Sequence, residues 1–188
     1  AVLSGSSIVT QPEEVRRKIG FLTSELKLED FFTPDYLYDF FSELYGIPTD
    51  RRDARKRMLF ARFGIQEFAQ VRVRDLSTGM KQKVSLVISL VQDPEIIIFD
   101  EPTNGLDILT AKVVTDFLLD LKEQGKTIII STHIFSLVEK ICDRVGIIIN
   151  GRMAACEDLR TLCGDKSLED RFFEIYEAVN GEDENHDK

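Results

Sequence analysis

IIIFDEPTNGLD, at residues 96–107, is the segment of the chain that says most about its fold. Four consecutive apolar residues predict a buried strand over residues 96–99, and Asp100 and Glu101 follow at its carboxyl end. Asp107 stands directly before the segment ILTAKVV, which predicts that it caps a helix over about residues 107–122. Carboxylates at a strand end can hold Mg²⁺ or orient an attacking water, although such an acidic pair is commonly only a turn.

The chain after this stretch alternates between apolar runs and helical patterns. TIIIS at residues 127–131 and GIII at residues 146–149 predict two further strands, so the pattern indicates a parallel α/β sheet. Ligands of such sheets gather at the carboxyl ends of the strands, where Asp100, Glu101 and His133 are found. Taken alone, a histidine in this position is more often structural than catalytic.

The chain before this stretch predicts one strand and then three helices. IGFL at residues 19–22 is typical of a short buried strand, and Thr33 followed by Pro34 begins an aromatic-striped helix. Further helices are predicted over residues 52–63 and from Ser77 to about residue 91, which together suggest a helical lobe. The basic residues at 51, 52 and 55–57 are expected to form a solvated helix face without a ligand.

LSTGMKQK at residues 76–83 combines a hydroxyl with a glycine just before an apolar helix. Ser77 and the backbone N–H groups around Gly79 can form an anion site, because the helix dipole favours negative charge there. The alternative is that Ser77 is a plain helix cap.

The composition indicates a single globular domain and argues against nucleic-acid binding, structural disulfides and membrane spans. The chain has 188 residues, of which 43% are hydrophobic, enough for one domain with a sizeable core. The net charge of −9 argues against broad nucleic-acid binding, so no nucleic-acid partner is expected. Cys142, Cys156 and Cys163 lack metal or disulfide spacing and suggest a reducing compartment. The longest apolar stretch is too short to cross a bilayer, and no signal peptide is visible.

Taken in order, LSTGM, IIIFDEP, NGLD and IIISTH resemble the second half of an ABC-type ATPase. The resemblance implies that Asp100 of the Walker B strand binds Mg²⁺ and that Glu101 is the general base. His133 of the switch region would sense the γ-phosphate of ATP. The signature residues Ser77, Thr78, Gly79 and Met80 and the D-loop residue Asp107 would contact nucleotide or the opposite site.

Compared with the family it resembles, the sequence lacks the phosphate-binding loop. No GxxxxGK followed by Ser or Thr occurs in the sequence, so the phosphate-binding loop of the family is absent, together with about 40–50 residues of its usual layout. Ser24 stands where the family's Q-loop glutamine is expected. We therefore expect a fragment of a longer product, inactive when isolated, whose P-loop NTPase-like parallel sheet core is incomplete.

The predicted organisation is a partial ABC ATPase domain over residues 1–180, with an inserted helical subdomain at about 33–92 and an α/β core at about 94–150. Residues 181–188 are expected to be a disordered acidic tail.

The family implies a second nucleotide-binding domain and a transmembrane permease as partners, with the protein on the cytoplasmic face of the cell membrane. Gly151 and LEDRFFEIY at residues 168–176 resemble drug and sodium exporters. The alternatives are an inactive dimerisation or docking module, and a soluble ABC ATPase not used in transport.

Overall fold

The structure is a computed structural model that describes residues 1–23 and 28–186. It divides into two compact units, residues 1–131 and residues 132–188. Ser24, the predicted Q-loop residue, lies outside the described residues. Within the described part of the chain, no helix is long and apolar enough to cross a membrane.

The first unit contains five strands, five helices and two short 3₁₀ turns within its described residues. In chain order they are β1 (Val2–Leu3), β2 (Ser6–Ser7), α1 (Pro12–Lys18), β3 (Ile19–Leu22), α2 (Pro34–Leu44), α3 (Thr49–Phe63), the 3₁₀ turns Ile65–Phe68 and Val73–Asp75, α4 (Thr78–Ile88), β4 (Ile96–Asp100), α5 (Ile108–Glu123) and β5 (Thr127–Ser131). The predicted strand over residues 127–131 is thus confirmed at both ends, as is the strand over residues 19–22.

A parallel sheet forms the centre of this unit, as the sequence predicts. Its strand order is β3-β4-β5, and the register pairs Ile19 with Ile96 and Ile96 with Thr127. β4 lies in the middle and buries Ile97 and Phe99 almost completely, which explains why its sequence is apolar without alternation. The central strand therefore delivers the acidic pair at its carboxyl end to the same edge where β5 ends.

The three predicted helices form with small shifts at their ends. Thr33 caps α2 by accepting a hydrogen bond from the backbone nitrogen of Tyr36 over 3.2 Å. α4 ends at Ile88 and not near residue 91 as predicted. The hydroxyl of Ser89 bonds the carbonyl oxygen of Leu86 at 2.7 Å, and Asp93 takes a left-handed φ of 55° before Pro94. These local bonds compete with a further helical turn.

The basic run on α3 is only partly the solvated face that the sequence suggests. Arg52 lies 3.4 Å from Asp39, and Lys56 lies 2.5 Å from Asp35 and 3.0 Å from Asp39, so the two residues tie α3 to α2. The side chains of Arg52 and Lys56 are mostly buried in this arrangement. The prediction failed because sequence periodicity does not show which face of one helix meets the acids of another.

The second unit is built on an antiparallel hairpin. Its elements are α6 (Phe135–Ile141), β6 (Arg144–Ile149), β7 (Arg152–Asp158), α7 (Leu159–Cys163) and α8 (Leu168–His186). β6 pairs with β7 around a two-residue turn, Asn150-Gly151, in which both residues have positive φ. Asn-Gly is the strongest sequence signal for such a turn. The expectation that residues 146–149 join the parallel sheet is therefore wrong.

A small core holds this unit together. Ile147, Ile149, Leu162 and Leu168 are buried, and the aromatic ring of Phe172 packs against the cluster. α8 continues to His186, which differs from the prediction of a disordered tail beginning at residue 181. Glutamates favour a helix once a preceding turn supplies the nucleus.

Candidate active site

The carboxyl end of the parallel sheet brings together Asp100, Glu101 and Ser131. The hydroxyl of Ser131 donates a hydrogen bond to a carboxylate oxygen of Asp100. The backbone nitrogen of Glu101 donates to the carbonyl oxygen of Ser131 over 2.9 Å. Both carboxylates are half-buried. The end of β5 thus positions the two acids that the sequence singles out on β4.

Glu101 has an unusual backbone. Its φ is 47°, in the left-handed region that side chains other than glycine seldom adopt. The carbonyl oxygen of Glu101 accepts a hydrogen bond from the nitrogen of Asn104 at 3.0 Å, which closes a turn directly after the strand. Such conformations persist only where the surroundings hold them, and they cluster at active sites. The turn redirects the chain from β4 into the loop that leads to α5.

The N-terminus of α4 presents the predicted signature residues. Ser77 is the cap, and its Oγ accepts a hydrogen bond from the backbone nitrogen of Met80 over 3.3 Å. Ser77 and Thr78 are exposed, whereas Gly79 and Met80 are half-buried. The cap interpretation is confirmed. It leaves the first-turn N–H groups of the helix without intrahelical partners, as at any helix start.

The structure brings this N-terminus against the loop after β4. A Cβ atom added at Gly79 would lie 3.8 Å from the carbonyl oxygen of Gly105 and 3.9 Å from the side chain of Leu106. Gly105, with φ of 72°, in turn faces the methyl group of Thr78. Two segments that are 26 residues apart in sequence thus form one surface. Sequence reasoning treated them separately and missed the contact.

Asp107 is the helix cap of α5, as predicted. Its carboxylate accepts from the backbone nitrogen of Thr110 at 3.0 Å and from the hydroxyl of Thr110 at 2.7 Å. These hydrogen bonds, the hydroxyl first, lower the pKa of Asp107 below its ordinary value of 3.8. The side chain is exposed, so the cap is compatible with a further contact to another molecule.

His133 follows β5 by two residues and is exposed. It belongs to the second compact unit, which begins at Thr132. The hydroxyl of Thr132 accepts a hydrogen bond from the backbone nitrogen of Ile134 at 3.2 Å and so shapes the turn that carries His133 into α6. The role of His133 towards phosphate stays a prediction.

The donor set at the sheet end fits a magnesium ion. Mg²⁺ usually keeps several waters and takes only one or two carboxylates, together with the substrate's phosphates. Asp100 and the adjoining hydroxyl of Ser131 can supply such an incomplete shell. Among the described residues, no cluster of three or more His, Cys, Asp or Glu side chains could hold a metal ion on its own. Ser131 is a site residue that sequence reasoning missed, although its position at the end of TIIIS is a usable signal.

A second feature of the first unit is an apolar groove of about 770 Å³. Its walls come from β3, α2 and α4, and they include Phe21, Phe40 and Ile88. At the start of α2, the ring of Tyr36 stacks between the rings of Phe32, which precedes the helix, and Phe40, with centroid distances of 4.5 Å and 6.3 Å. Each of the three residues is between 39% and 49% exposed. The structure leaves this aromatic row half open to solvent.

A parallel sheet with acids at its carboxyl edge places the chain among the α/β proteins that bind their ligands at that edge. A family model described as ABC transporter matches residues 2–104. The ATP-binding protein NatA of Bacillus subtilis is 38% identical over 169 residues, which cover 89% of this chain and 69% of the relative. The chain therefore belongs to the ABC transporter ATP-binding family, and its ATPase fold is that of the family.

Other relatives and a solved structure belong to the same family. An uncharacterised ABC transporter ATP-binding protein of Methanocaldococcus jannaschii is 35% identical over 80% of this chain, which spans 57% of that relative. A fluoroquinolones export ATP-binding protein of Mycobacterium tuberculosis is 36% identical over 63% of the chain and 38% of the relative. A solved ATP-binding subunit of an ABC transporter superposes with a TM-score of 0.87 at 27% identity, over 93% of this chain and 75% of that one.

Proposed function

We infer that this chain supplies the signature, Walker B, D-loop and switch elements of an ATP-hydrolysing subunit that powers membrane transport. The observation that carries the proposal is the joint placement of Asp100, Glu101 and Ser131 at one sheet end. Asp100 binds the magnesium of MgATP, and Glu101 takes the proton of the attacking water. His133 stabilises the γ-phosphate electrostatically. Ser24 takes the sequence position of the family's Q-loop glutamine and contributes to coupling with the membrane partner.

The signature and D-loop act on a second nucleotide-binding domain. Ser77 to Met80 bind the nucleotide held by the opposite subunit, and Asp107 reaches across the same interface. The apolar side chains that follow Asp107 support this, since Ile108 and Leu109 are 88% and 78% exposed. Large apolar side chains this exposed at the start of a helix favour burial against another protein.

The phosphate loop comes from a further segment, so the chain functions as a fragment of a larger ATPase. Within the described residues, β5 is an edge of the parallel sheet, and Ile129 at its centre is 52% exposed. An apolar edge strand is a template for another strand. A strand added there in parallel would deliver its following loop beside Ser131 and Asp100, where the β- and γ-phosphates are needed.

The membrane partner docks in the apolar groove between α2, α4 and β3. The exposed stack of Phe32, Tyr36 and Phe40 provides a continuous apolar wall, and an amphipathic helix of the permease fits such a groove. The subunit then lies on the cytoplasmic face of the cell membrane. The mycobacterial relative is a fluoroquinolones export protein, which supports export as the direction of transport.

The test compares MgATP binding by the 188-residue chain with binding by a version joined to the phosphate-loop segment of the Bacillus relative. The joined protein is expected to bind and hydrolyse MgATP, whereas the chain alone does neither. Replacing Glu101 with Gln in the joined protein should lower hydrolysis by about 10²-fold or more without loss of binding.

Three other results would contradict parts of the proposed function. Tight MgATP binding by the chain alone would show that phosphate is held by another route. A joined protein that binds but hydrolyses equally well with Glu101→Gln would remove Glu101 from the role of base. A folded joined protein that docks on membranes but never hydrolyses ATP would favour the inactive docking module, which the exposed groove also supports.

A further inference from the structure

The side chain of Ser131 acts on Asp100 across the parallel sheet. In the register of β4 and β5, Asp100 and Ser131 stand directly opposite each other. Side chains at opposed positions of neighbouring strands project from the same face of the sheet, so these two polar groups meet at its carboxyl edge. The hydroxyl of Ser131 donates its single proton to Oδ1 of Asp100. One oxygen of the carboxylate assigned to magnesium is therefore held by a side chain of the adjacent strand.

Ser131 has a second link to the site, and this one does not depend on its side chain. Its carbonyl oxygen accepts a hydrogen bond from the backbone nitrogen of Glu101 over 2.9 Å. Any residue at position 131 supplies the same carbonyl group, so the turn at Glu101 keeps this support when the side chain is changed. The hydroxyl can thus be removed without touching the backbone of the proposed base.

Serine is an unexpected residue type for this position. The other residues of β5 on the same face are Thr127 and Ile129, and both are β-branched. β-branched residues favour strands, whereas serine gains nothing from the strand and, being exposed here, buries no apolar surface. The hydrogen bond to Asp100 is what serine provides at this position and valine or isoleucine would not.

A magnesium site needs its carboxylate held in one orientation. Mg²⁺ demands a nearly octahedral shell of oxygen ligands and takes only one or two of them from carboxylates. A carboxylate that rotates about its Cβ–Cγ bond meets this requirement only part of the time. Hydrogen-bond donors that fix a metal-binding side chain typically change metal affinity about 10- to 100-fold when they are removed.

We propose that Ser131 is a positioning residue for magnesium: its hydroxyl holds Asp100 in the orientation that receives the ion, and the hydroxyl does not itself bind the metal. The proposal rests on the assignment of Asp100 to MgATP in the proposed function. It divides the work at the end of β5 between two atoms. The hydroxyl of Ser131 sets the affinity for Mg²⁺ through Asp100, while its carbonyl oxygen supports Glu101.

The test compares Ser131→Thr with Ser131→Val in the protein joined to the phosphate-loop segment. Threonine and valine have the same shape and both favour strands, but only threonine keeps a hydroxyl. Mn²⁺, which suits the same oxygen ligands as Mg²⁺, is titrated into each protein holding one equivalent of a non-hydrolysable ATP analogue. The electron paramagnetic resonance signal of free Mn²⁺ measures binding. Ser131→Val is expected to bind Mn²⁺ about tenfold more weakly, and Ser131→Thr as tightly as the parent.

Hydrolysis by the same variants gives an independent measurement. Ser131→Val should raise the Mg²⁺ concentration needed for half-maximal hydrolysis about tenfold. Its kcat at saturating Mg²⁺ should stay within about twofold, because the bond from Glu101 to the carbonyl oxygen of residue 131 remains. A lower kcat with unchanged Mn²⁺ affinity would place the effect at Glu101 and would overturn the proposal.

The 188-residue chain by itself reports on the hydrogen bond, without metal or nucleotide. Urea unfolding of Ser131→Val, Asp100→Ala and the double variant forms a double-mutant cycle. The two effects on stability should not add, because either single change already removes the bond. Additive effects would show that the two side chains do not interact and would overturn the proposal.

Asp100→Asn in the joined protein separates this inference from the function on which it rests. Weaker Mn²⁺ binding by Asp100→Asn with unchanged binding by Ser131→Val would keep Asp100 as the metal ligand and reject the role of Ser131 alone. Unchanged binding by Asp100→Asn would reject the assignment of the metal to Asp100, and with it this inference.

Ser131→Cys distinguishes positioning from direct ligation of the metal. A thiolate in the metal's own shell favours the soft ion Cd²⁺ over Mn²⁺. The variant is expected to bind Cd²⁺ no more tightly than the parent protein does, since residue 131 acts through Asp100. A gain in Cd²⁺ affinity over the parent would show that residue 131 binds the metal directly and would overturn the proposal.

Discussion

The backbone nitrogen of Glu101 donates to the carbonyl oxygen of Ser131 across 2.9 Å while Glu101 holds a φ of 47°. The end of β5 thus holds the residue after β4 in a conformation that L-amino acids avoid at a cost of about 1 kcal/mol or more. The strained residue is the one proposed as the general base. Its backbone conformation lowers the stability of the chain and fixes the orientation of the Glu101 side chain.

Replacing Glu101 with Gly should stabilise the chain relative to Glu101→Ala by about 1 kcal/mol, because glycine has no Cβ to clash at positive φ. Both variants lack the carboxylate, so the comparison isolates the backbone. Urea unfolding followed by circular dichroism measures the difference. Equal unfolding free energies would mean that Glu101 relaxes to an ordinary conformation in solution.

Removal of the cap on α4 should be costly although Ser77 is exposed. Ser77→Ala leaves the backbone nitrogen of Met80 without its partner and is expected to lower the free energy of unfolding by about 1 kcal/mol. Thr78→Ala is the matched control, because Thr78 is also exposed but lies inside the helix and has no capping role. A loss at Thr78 as large as that at Ser77 would contradict the cap.

The cap formed by Asp107 should depend on pH. Thr110 lowers the folded-state pKa of Asp107 below 3.8. The contribution of the carboxylate to the free energy of unfolding is therefore complete above the unfolded-state pKa. It is lost as pH falls through the folded-state pKa. The stability difference between the wild type and Asp107→Ala should therefore shrink between pH 5 and about pH 3. Asp107→Asn keeps a capping oxygen that does not titrate, and its difference from Asp107→Ala should stay constant. Urea titrations at each pH measure both differences.

Gly20 on β3 should tolerate no side chain. A Cβ atom there would lie 2.6 Å from the carbonyl oxygen of Ser89 and 2.7 Å from Cγ of Pro94. Gly20→Ala is expected to destabilise the first unit by about 2–3 kcal/mol, since a backbone carbonyl cannot rotate away. Gly79→Ala serves as a comparison because its nearest neighbours are at 3.8 Å. A thermal unfolding midpoint that is unchanged by Gly20→Ala would refute this packing.

Tyr38 should lower the stability of the folded chain at alkaline pH. Its side chain is fully buried, and burial raises the pKa of its hydroxyl from 10.0 to about 12. Because the folded state holds this proton more tightly than the unfolded state, stability should fall as pH rises above 10. Tyr38→Phe removes the titration and should lose less stability between pH 10 and pH 11. At pH 7 it should cost little, because within the described residues the hydroxyl has no hydrogen-bond partner. Denaturant unfolding of both proteins at pH 7 and pH 11 gives the comparison.

Local sequence signals succeeded where one chemical feature decides one element. Thr33-Pro34 begins α2 and Asp107 caps α5, as the residue types predict. The hairpin of β6 and β7 was missed for a local reason: β7 is exposed along nearly its whole length and lacks a clear alternation, although the turn Asn150-Gly151 was a usable signal. Local signals also failed where the partners are distant. The sequence also could not show that Arg52 and Lys56 face the acids of α2.

Local patterns in the sequence were enough to predict the strands of the parallel sheet and the capped helices, because apolar runs and helix caps act over a few neighbours. The residues proposed for catalysis came from the resemblance of the ordered motifs to a family. Only the tertiary structure decided that Gly79 meets Gly105, that Ser131 binds Asp100, and that the aromatic row on α2 lines an open groove. These contacts join residues far apart in the chain, and their geometry depends on how helices and strands pack, which no local pattern encodes.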